Sequence, residues 1–200
     1  MTDAAARQPT SVTEDDDADS IEIAITEQVV ATILIKDPSW HEILNKTDQA
    51  RLSLVMKEAL QMADDNVQPI AASPIIPQPI MPTTMPASFS IMLTDNRQMA
   101  MFNQQFRQKE LATNVLSFPD EEDDQYLGDI AIGYAITKAE AEAEGKRADD
   151  HFLHLLVHGI LHLLGYDHLN DDDANVMEAE EARILAVIGI ADPYQSLGGV

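Results

Sequence analysis

Residues 150–164 read Asp-His-Phe-Leu-His-Leu-Leu-Val-His-Gly-Ile-Leu-His-Leu-Leu, and no other stretch restricts the fold so severely. Asp150 stands where a helix cap is favoured. Phe152, Leu155, Leu156, Ile160, Leu161, Leu163 and Leu164 then surround the histidines with apolar bulk on nearly every side. A helix of that kind is stable only when other elements cover most of its circumference. Imidazoles on such a helix need polar partners, because an unpaired polar group away from water is costly. His158 and His162 lie one turn apart on a common face. Gly165 is suited to end the helix in the left-handed conformation, which lets His168 return toward the pair from a loop. The pair alone fits packing and hydrogen bonding better than it fits a metal. Histidine at all three places favours the metal, since core packing asks for none of them. Three neutral imidazoles with one position open describe a catalytic zinc site, where the ion lowers the pKa of bound water to about 7. His154 lies one turn before His158 and about 12 Å along the helix from His162, too far to share the ion. It is expected to be a wall or supporting residue.

The spacing matches that of H-E-x-x-H-x-x-G-x-x-H zinc proteases, but Gly159 stands where those enzymes keep a glutamate base. The run from His158 to His168 instead resembles the signature of the YbeY family, H-G-x-L-H-L-x-G-Y-D-H, with every fixed position filled. The likeness extends over residues 90–189. It includes Asn103-Gln-Gln-Phe-Arg107, Thr113-Asn-Val-Leu-Ser-Phe-Pro119, Leu127-Gly-Asp-Ile130 and the acidic helix around Met177 and Glu178. The resemblance implies a single-strand-specific metallo-endoribonuclease acting in maturation of the 3′ end of 16S rRNA and in late-stage ribosome quality control. It implies one Zn2+ per chain on His158, His162 and His168, with Arg107 and His158 as the catalytic residues. The implied partners are single-stranded ribosomal RNA and a ribosomal or ribosome-associated protein, with neither DNA nor membrane. By spacing alone Arg107 is a charge at a helix end. Under the resemblance its guanidinium would grip the scissile phosphate. Asn114 and Ser117 could contact substrate or satisfy strand-end backbone groups. Asp129 could orient a ligand or cap, and Asp167 could support a ligating histidine or a turn. Two other classes stay open: a zinc metallopeptidase, against which Gly159 counts, and a non-catalytic ribosome assembly factor with structural zinc.

The chain has 200 residues, 45% of them hydrophobic, enough for one domain with a full core. It has no cysteine, so any metal must take nitrogen or oxygen ligands. No run of roughly 18 apolar residues occurs and the first twenty residues are polar, which leads us to expect a cytoplasmic protein. The net charge of −23 is unusual for an RNA-binding chain, whose affinity ordinarily comes from cations on phosphates. Much of the acid falls in residues 14–19, 120–124 and 170–173, so a local cleft can still hold a strand, helped by the charge of a metal.

Residues 1–20 are expected to be a disordered acidic tail. Residues 21–190 form the domain, with a proline-rich insertion at 66–86, and residues 191–200 form a tail. Strands are predicted at 21–25, 88–94, 113–119 and 127–132, the last with Gly128 marking close approach of another backbone. Residues 29–35 are an apolar run of ambiguous type. Trp40 follows a break at Pro38 and reads as packing. Helices are predicted at 47–64 with a Thr47 or Asp48 cap, at 137–144, and at 171–187 with Met177, Ile184, Leu185 and Ile188 inward. A further short helix starts at an Asp95/Gln98 capping box, with Met99, Phe102 and Phe106 sharing a face. Val115, Leu116 and Phe118 are predicted core. The fold class is α/β (α+β): one domain, a mixed four-stranded sheet with helices, and a central metal-binding helix. Elemental analysis of the purified variants should show His168→Ala losing most of its metal, because a missing ligand removes most of the affinity of a three-ligand site. His154→Ala should keep about one zinc per chain.

Overall fold

The computed structural model describes residues 19–61, 88–120, 122–123 and 125–195. Among these residues a mixed five-stranded sheet has the order β1-β2-β3-β5-β4. The strands are β1 (Asp19–Ala24), β2 (Val30–Ile35), β3 (Ser88–Thr94), β4 (Val115–Pro119) and β5 (Tyr126–Gly133). Strands β2, β3 and β5 run parallel, and the outer strands β1 and β4 are antiparallel to their neighbours. The sequence gives four unambiguous strands, and the fifth is the ambiguous run at 29–35. It becomes β2 because it inserts between β1 and β3, pairing Ile33 with Ile21 on one side and Ile91 on the other. Helices α1 (His41–Leu44), α2 (Gln49–Gln61), α3 (Asn96–Arg107), α4 (Tyr134–Ala143), α5 (Ala148–Leu163) and α6 (Asp171–Val187) complete the fold. The predicted insertion at 66–86 and the segments 1–18 and 196–200 lie outside the described residues.

Alternation along the strands sends successive side chains to opposite faces. Val115, Ile130 and Ile132 join the main core with Phe152, Leu156 and Ile160 of α5. Leu116 and Ala131 form a smaller cluster on the other face with Met99 of α3. Helix α5 therefore lies between the sheet and helices α2, α4 and α6, buried on most sides as its sequence requires. Each fully covered side chain such as Phe152, Leu156 or Ile160 contributes about 1.5–3 kcal/mol relative to exposure. Trp40 is wholly buried, stacked edge-on against Phe152 and Tyr134, and its indole N–H donates to Thr94 O at 3.1 Å.

Local signals place the element ends. The carboxylate of Asp95 accepts from Gln98 N at 2.8 Å at the start of α3, and Asn170 accepts from Asp173 N at 3.0 Å at the start of α6. Asp48 accepts from Ala50 N at 2.8 Å beside α2. Helix α5 begins two residues before Asp150, which is not its cap. The first turn holds both Asp149 and Asp150, which suits the positive end of the helix dipole, and Asp150 pairs with Arg51 at 2.7 Å. Helix α4 likewise starts at Tyr134, earlier than expected, with Thr137 Oγ1 donating to Gly133 O. Phe118 is not a fully buried core residue. Its strand is the sheet edge, and it packs only against the smaller cluster beneath α3.

Two glycines carry close contacts. Gly128 has φ +130°, and a Cβ there would lie 2.2 Å from Phe118 O, so the neighbouring backbone does approach it closely. At Gly159 a Cβ would lie 2.9 Å from Cγ2 and 3.1 Å from Cδ1 of Ile130, and 3.3 Å from Ser117 Oγ. Ile130 is fully buried and β-branched, so it yields little. Helix α5 thus touches the sheet with its backbone, and Ser117 Oγ donates to Gly159 O at 3.1 Å across that contact. Gly159→Ala should lower stability by about 1 kcal/mol. Overpacking costs roughly 1–3 kcal/mol and the better helix propensity of alanine returns about 1. Urea unfolding at neutral pH measures this, and an unchanged or raised midpoint would show that the contact can relax.

Candidate metal centre

The last turns of α5 bring His158 and His162 onto one face, and the chain after the helix brings in His168. Gly165 adopts φ +88°, and Tyr166 N donates back to Leu161 O at 3.0 Å, so the helix ends as the glycine requires. One ligand atom from each of His158, His162 and His168 lies within 4.8 Å of the other two, and the group could hold a metal ion. Two imidazoles are half-buried and His168 is exposed.

The hydrogen bonds fix which nitrogens face inward. His162 Nδ1 lies 2.9 Å from Tyr166 O, and His158 Nδ1 lies 2.9 Å from Glu181 Oε1. A carbonyl and an ionised carboxylate only accept, so both Nδ1 atoms carry the proton. With both rings in the neutral form that ligates a metal, the two Nε2 atoms are left with lone pairs, 3.1 Å apart. Two bare acceptors at that separation repel, and a shared cation resolves the conflict, so these residues fit a metal by their own geometry. Burial, and then the nearness of His158, bring the His162 value down to about 4, so this imidazole is neutral and ready to ligate at physiological pH.

Glu181 is the residue that sequence reasoning missed. It sits on α6 at 1% exposure, with Oε1 on His158 and Oε2 2.7 Å from His154 Nε2. Burial alone would raise its carboxyl, but the hydrogen bonds from His154 and His158 outweigh burial and hold it down to about 2. Tyr194 adds its hydroxyl to the same carboxylate and lies 3.3 Å from His154 Nε2. Burial, and then Glu181 itself, push that phenol well above its usual range, so it keeps its proton and donates. The 191–200 tail therefore contributes to the site through Tyr194. The signal for Glu181 was present, since it falls on the inward stripe of Met177, Ile184 and Leu185. A lone acid on that stripe needs a buried partner. His154 is held by Glu181 and lies outside the three-histidine group. Asp167 is exposed and its carboxylate accepts from His168 N at 2.7 Å, a turn role, while Glu181 holds the His158 ring. Asp129 accepts from the Tyr126 hydroxyl at 2.6 Å on β5, and it does not line the cleft.

The histidines open onto a cleft of about 210 Å³ also lined by Arg107, Thr113, Asn114, Val115 and Ser117. The structure thus brings Arg107, the last residue of α3, to the three histidines from a distant part of the chain. Among the described residues no carboxylate pairs with its exposed guanidinium. Asn114 is held in place: its Oδ1 accepts from Val115 N at 2.8 Å and its amide nitrogen donates to Glu140 at 3.1 Å. Glu140 also meets His151 Nε2 at 2.9 Å, in a neighbouring hollow that Tyr194 helps to line.

The fold is an α+β domain in which two histidines of a buried helix and a third from the chain that follows it form a group that could hold a metal ion. The model of the family described as Endoribonuclease YbeY matches residues 41–189, and the chain belongs to that family. A Maricaulis maris protein named Endoribonuclease YbeY is 39% identical over 163 residues, covering 81% of this chain and 89% of that protein. A Rhodopseudomonas palustris protein of the same name is 48% identical over 120 residues, covering 54% and 62% respectively. A Neisseria meningitidis protein, again so named, is 41% identical over 120 residues, covering 56% and 70%. The solution structure of TM1509 from Thermotoga maritima covers 83% of this chain and 99% of its own, at 20% identity and a TM-score of 0.47, too distant to bear on the site.

Glu181→Gln should keep the fold and weaken metal binding on the order of 10- to 100-fold, the usual effect of losing the carboxylate behind a ligating histidine. Titration against a competing chelator gives the affinity, and an unaltered value would reduce Glu181 to a packing role.

Proposed function

We propose that this protein is a zinc-dependent, single-strand-selective endoribonuclease of rRNA processing, acting in maturation of the 3′ end of 16S rRNA and in late-stage ribosome quality control. The observation that carries this reading is the joint lining of one cleft by three imidazoles and a guanidinium that has no carboxylate partner among the described residues. That pairing suits a phosphodiester, whose charge develops on oxygens that an arginine can hold bidentately. The family supplies the endoribonuclease activity and the rRNA context. His158, His162 and His168 would hold the metal, which when bound polarises a phosphoryl oxygen and lowers the pKa of a bound water.

The chain's own residues then divide the work. Glu181 fixes the His158 ring so that Nε2 faces the cleft, and Tyr166 O does the same for His162. Arg107 binds the scissile phosphate and stabilises the charge that builds there. Peptide hydrolysis by the H-E-x-x-H route is disfavoured twice over. Gly159 can accept no proton, and the 2.9 Å approach of Ile130 leaves no room for a glutamate in its place. Zinc serving only as a structural staple is disfavoured by the open cleft beside the histidines, since structural sites are closed by four protein ligands. With a net charge of −23 the protein has little general affinity for RNA, which suits a cytoplasmic enzyme delivered by a ribosomal or ribosome-associated protein. No helix among the described residues is long and apolar enough to cross a membrane.

Incubating metal-loaded protein with single-stranded RNA and with casein, each with and without chelator, tests the class. Chelator-sensitive cleavage of RNA alone is expected, and cleavage of casein alone would overturn it. Arg107→Ala should keep its metal and lose about 100- to 1000-fold in RNA cleavage, the cost of one charge-assisted contact to a transition state. Activity within about threefold of the parent would leave Arg107 a surface charge.

A further inference from the structure

Phe106 and Phe118 stand beside the cleft. Phe106 directly precedes Arg107 at the end of α3 and is 56% exposed, an unusual state for a phenylalanine on a helix that packs on the sheet. Phe118 follows Ser117 on the edge strand β4. Their ring centroids are 4.8 Å apart with the planes at 61°, and Phe102 closes the group from beneath at 6.1 and 6.4 Å. Phe102 and Phe118 are anchored on the smaller core cluster, so the outer ring rests on a fixed base.

We propose that the Phe106–Phe118 pair is a stacking platform for one unpaired nucleobase of the RNA, next to the phosphate held by Arg107. This rests on the endoribonuclease reading of the same cleft. Ser117 lines the metal cleft while Phe118, its neighbour on the strand, faces the other side. The two sites therefore lie on either side of the edge strand, with Arg107 between them. A strand passing over that edge sets a phosphate among the histidines and turns its adjoining base onto Phe106. Stacking needs no cation, which is what a chain of net charge −23 requires of an RNA contact. It also gives a physical basis for single-strand selectivity. A base in a duplex is already stacked and paired, whereas a splayed base offers its face to an aromatic ring.

The test compares metal-loaded wild type, Phe106→Ala and Phe106→Trp. Fluorescence anisotropy with a labelled single-stranded RNA reports binding, gel analysis of the same strand reports cleavage, and a strand of equal length built from abasic units is the control. Phe106→Ala should weaken binding of the intact strand roughly tenfold or more and raise KM more than it lowers kcat, and Phe106→Trp should restore both. On the abasic strand the difference between the proteins should vanish. Equal binding of the intact strand by wild type and Phe106→Ala overturns the proposal. So does an equal loss on the abasic strand, which would mean that phosphate contacts had been damaged. A change of oligomeric state in sedimentation without a change in RNA affinity also overturns it and makes the patch a protein interface. Phe106-dependent binding without any cleavage by wild type would uphold the platform and refute the nuclease reading. Cleavage unaffected by Phe106→Ala would do the reverse.

Discussion

The backbone contact of α5 with the sheet at Gly159 is the constraint on which the rest depends. Because Gly159 has no side chain, the helix axis comes close enough for Ser117 to reach its carbonyl and for Ile130 to fill the space that a Cβ would take. That closeness buries Phe152, Leu156 and Ile160 between sheet and helices, and it carries the histidines on the same helix away from bulk water. Once there, they need polar partners of their own.

For His154 and His158 those partners come from α6 and the segment after it. A single buried carboxylate, Glu181, serves two imidazoles and one phenol, and it stays ionised because their hydrogen bonds outweigh the cost of burial. The consequence is directional. With protons fixed on the Nδ1 atoms of His158 and His162, their Nε2 lone pairs have nowhere to point but toward each other and the cleft. The same architecture that stabilises the helix thus orients two Nε2 atoms so that they could share a metal ion.

The cleft also reconciles the chemistry with the charge of the chain. Three imidazoles and a guanidinium with no carboxylate partner among the described residues form a local, non-acidic patch on a strongly acidic protein. Field focusing at such a patch would favour a phosphodiester there over the rest of the surface. Aromatic surface beside Arg107 adds contact that is insensitive to charge.

Much of this was legible in the sequence, for reasons that are local. The spacing of His158 and His162 and the left-handed turn at Gly165 depend on neighbouring residues alone. So do the Asp95 cap and the Gly128 approach signal, although what Gly128 approaches does not. The family likeness also pointed to Arg107, at a position whose spacing alone said nothing of function. What the sequence left open depends on residues far apart in the chain. Residues 29–35 became a strand because Ile33 is paired on both sides, and Phe118 stayed only part-buried because β4 is an edge. Glu181 and Tyr194 became part of the centre because α6 and its trailing segment fold back over α5. Periodicity can say that a residue faces inward, but only packing decides which group meets it there.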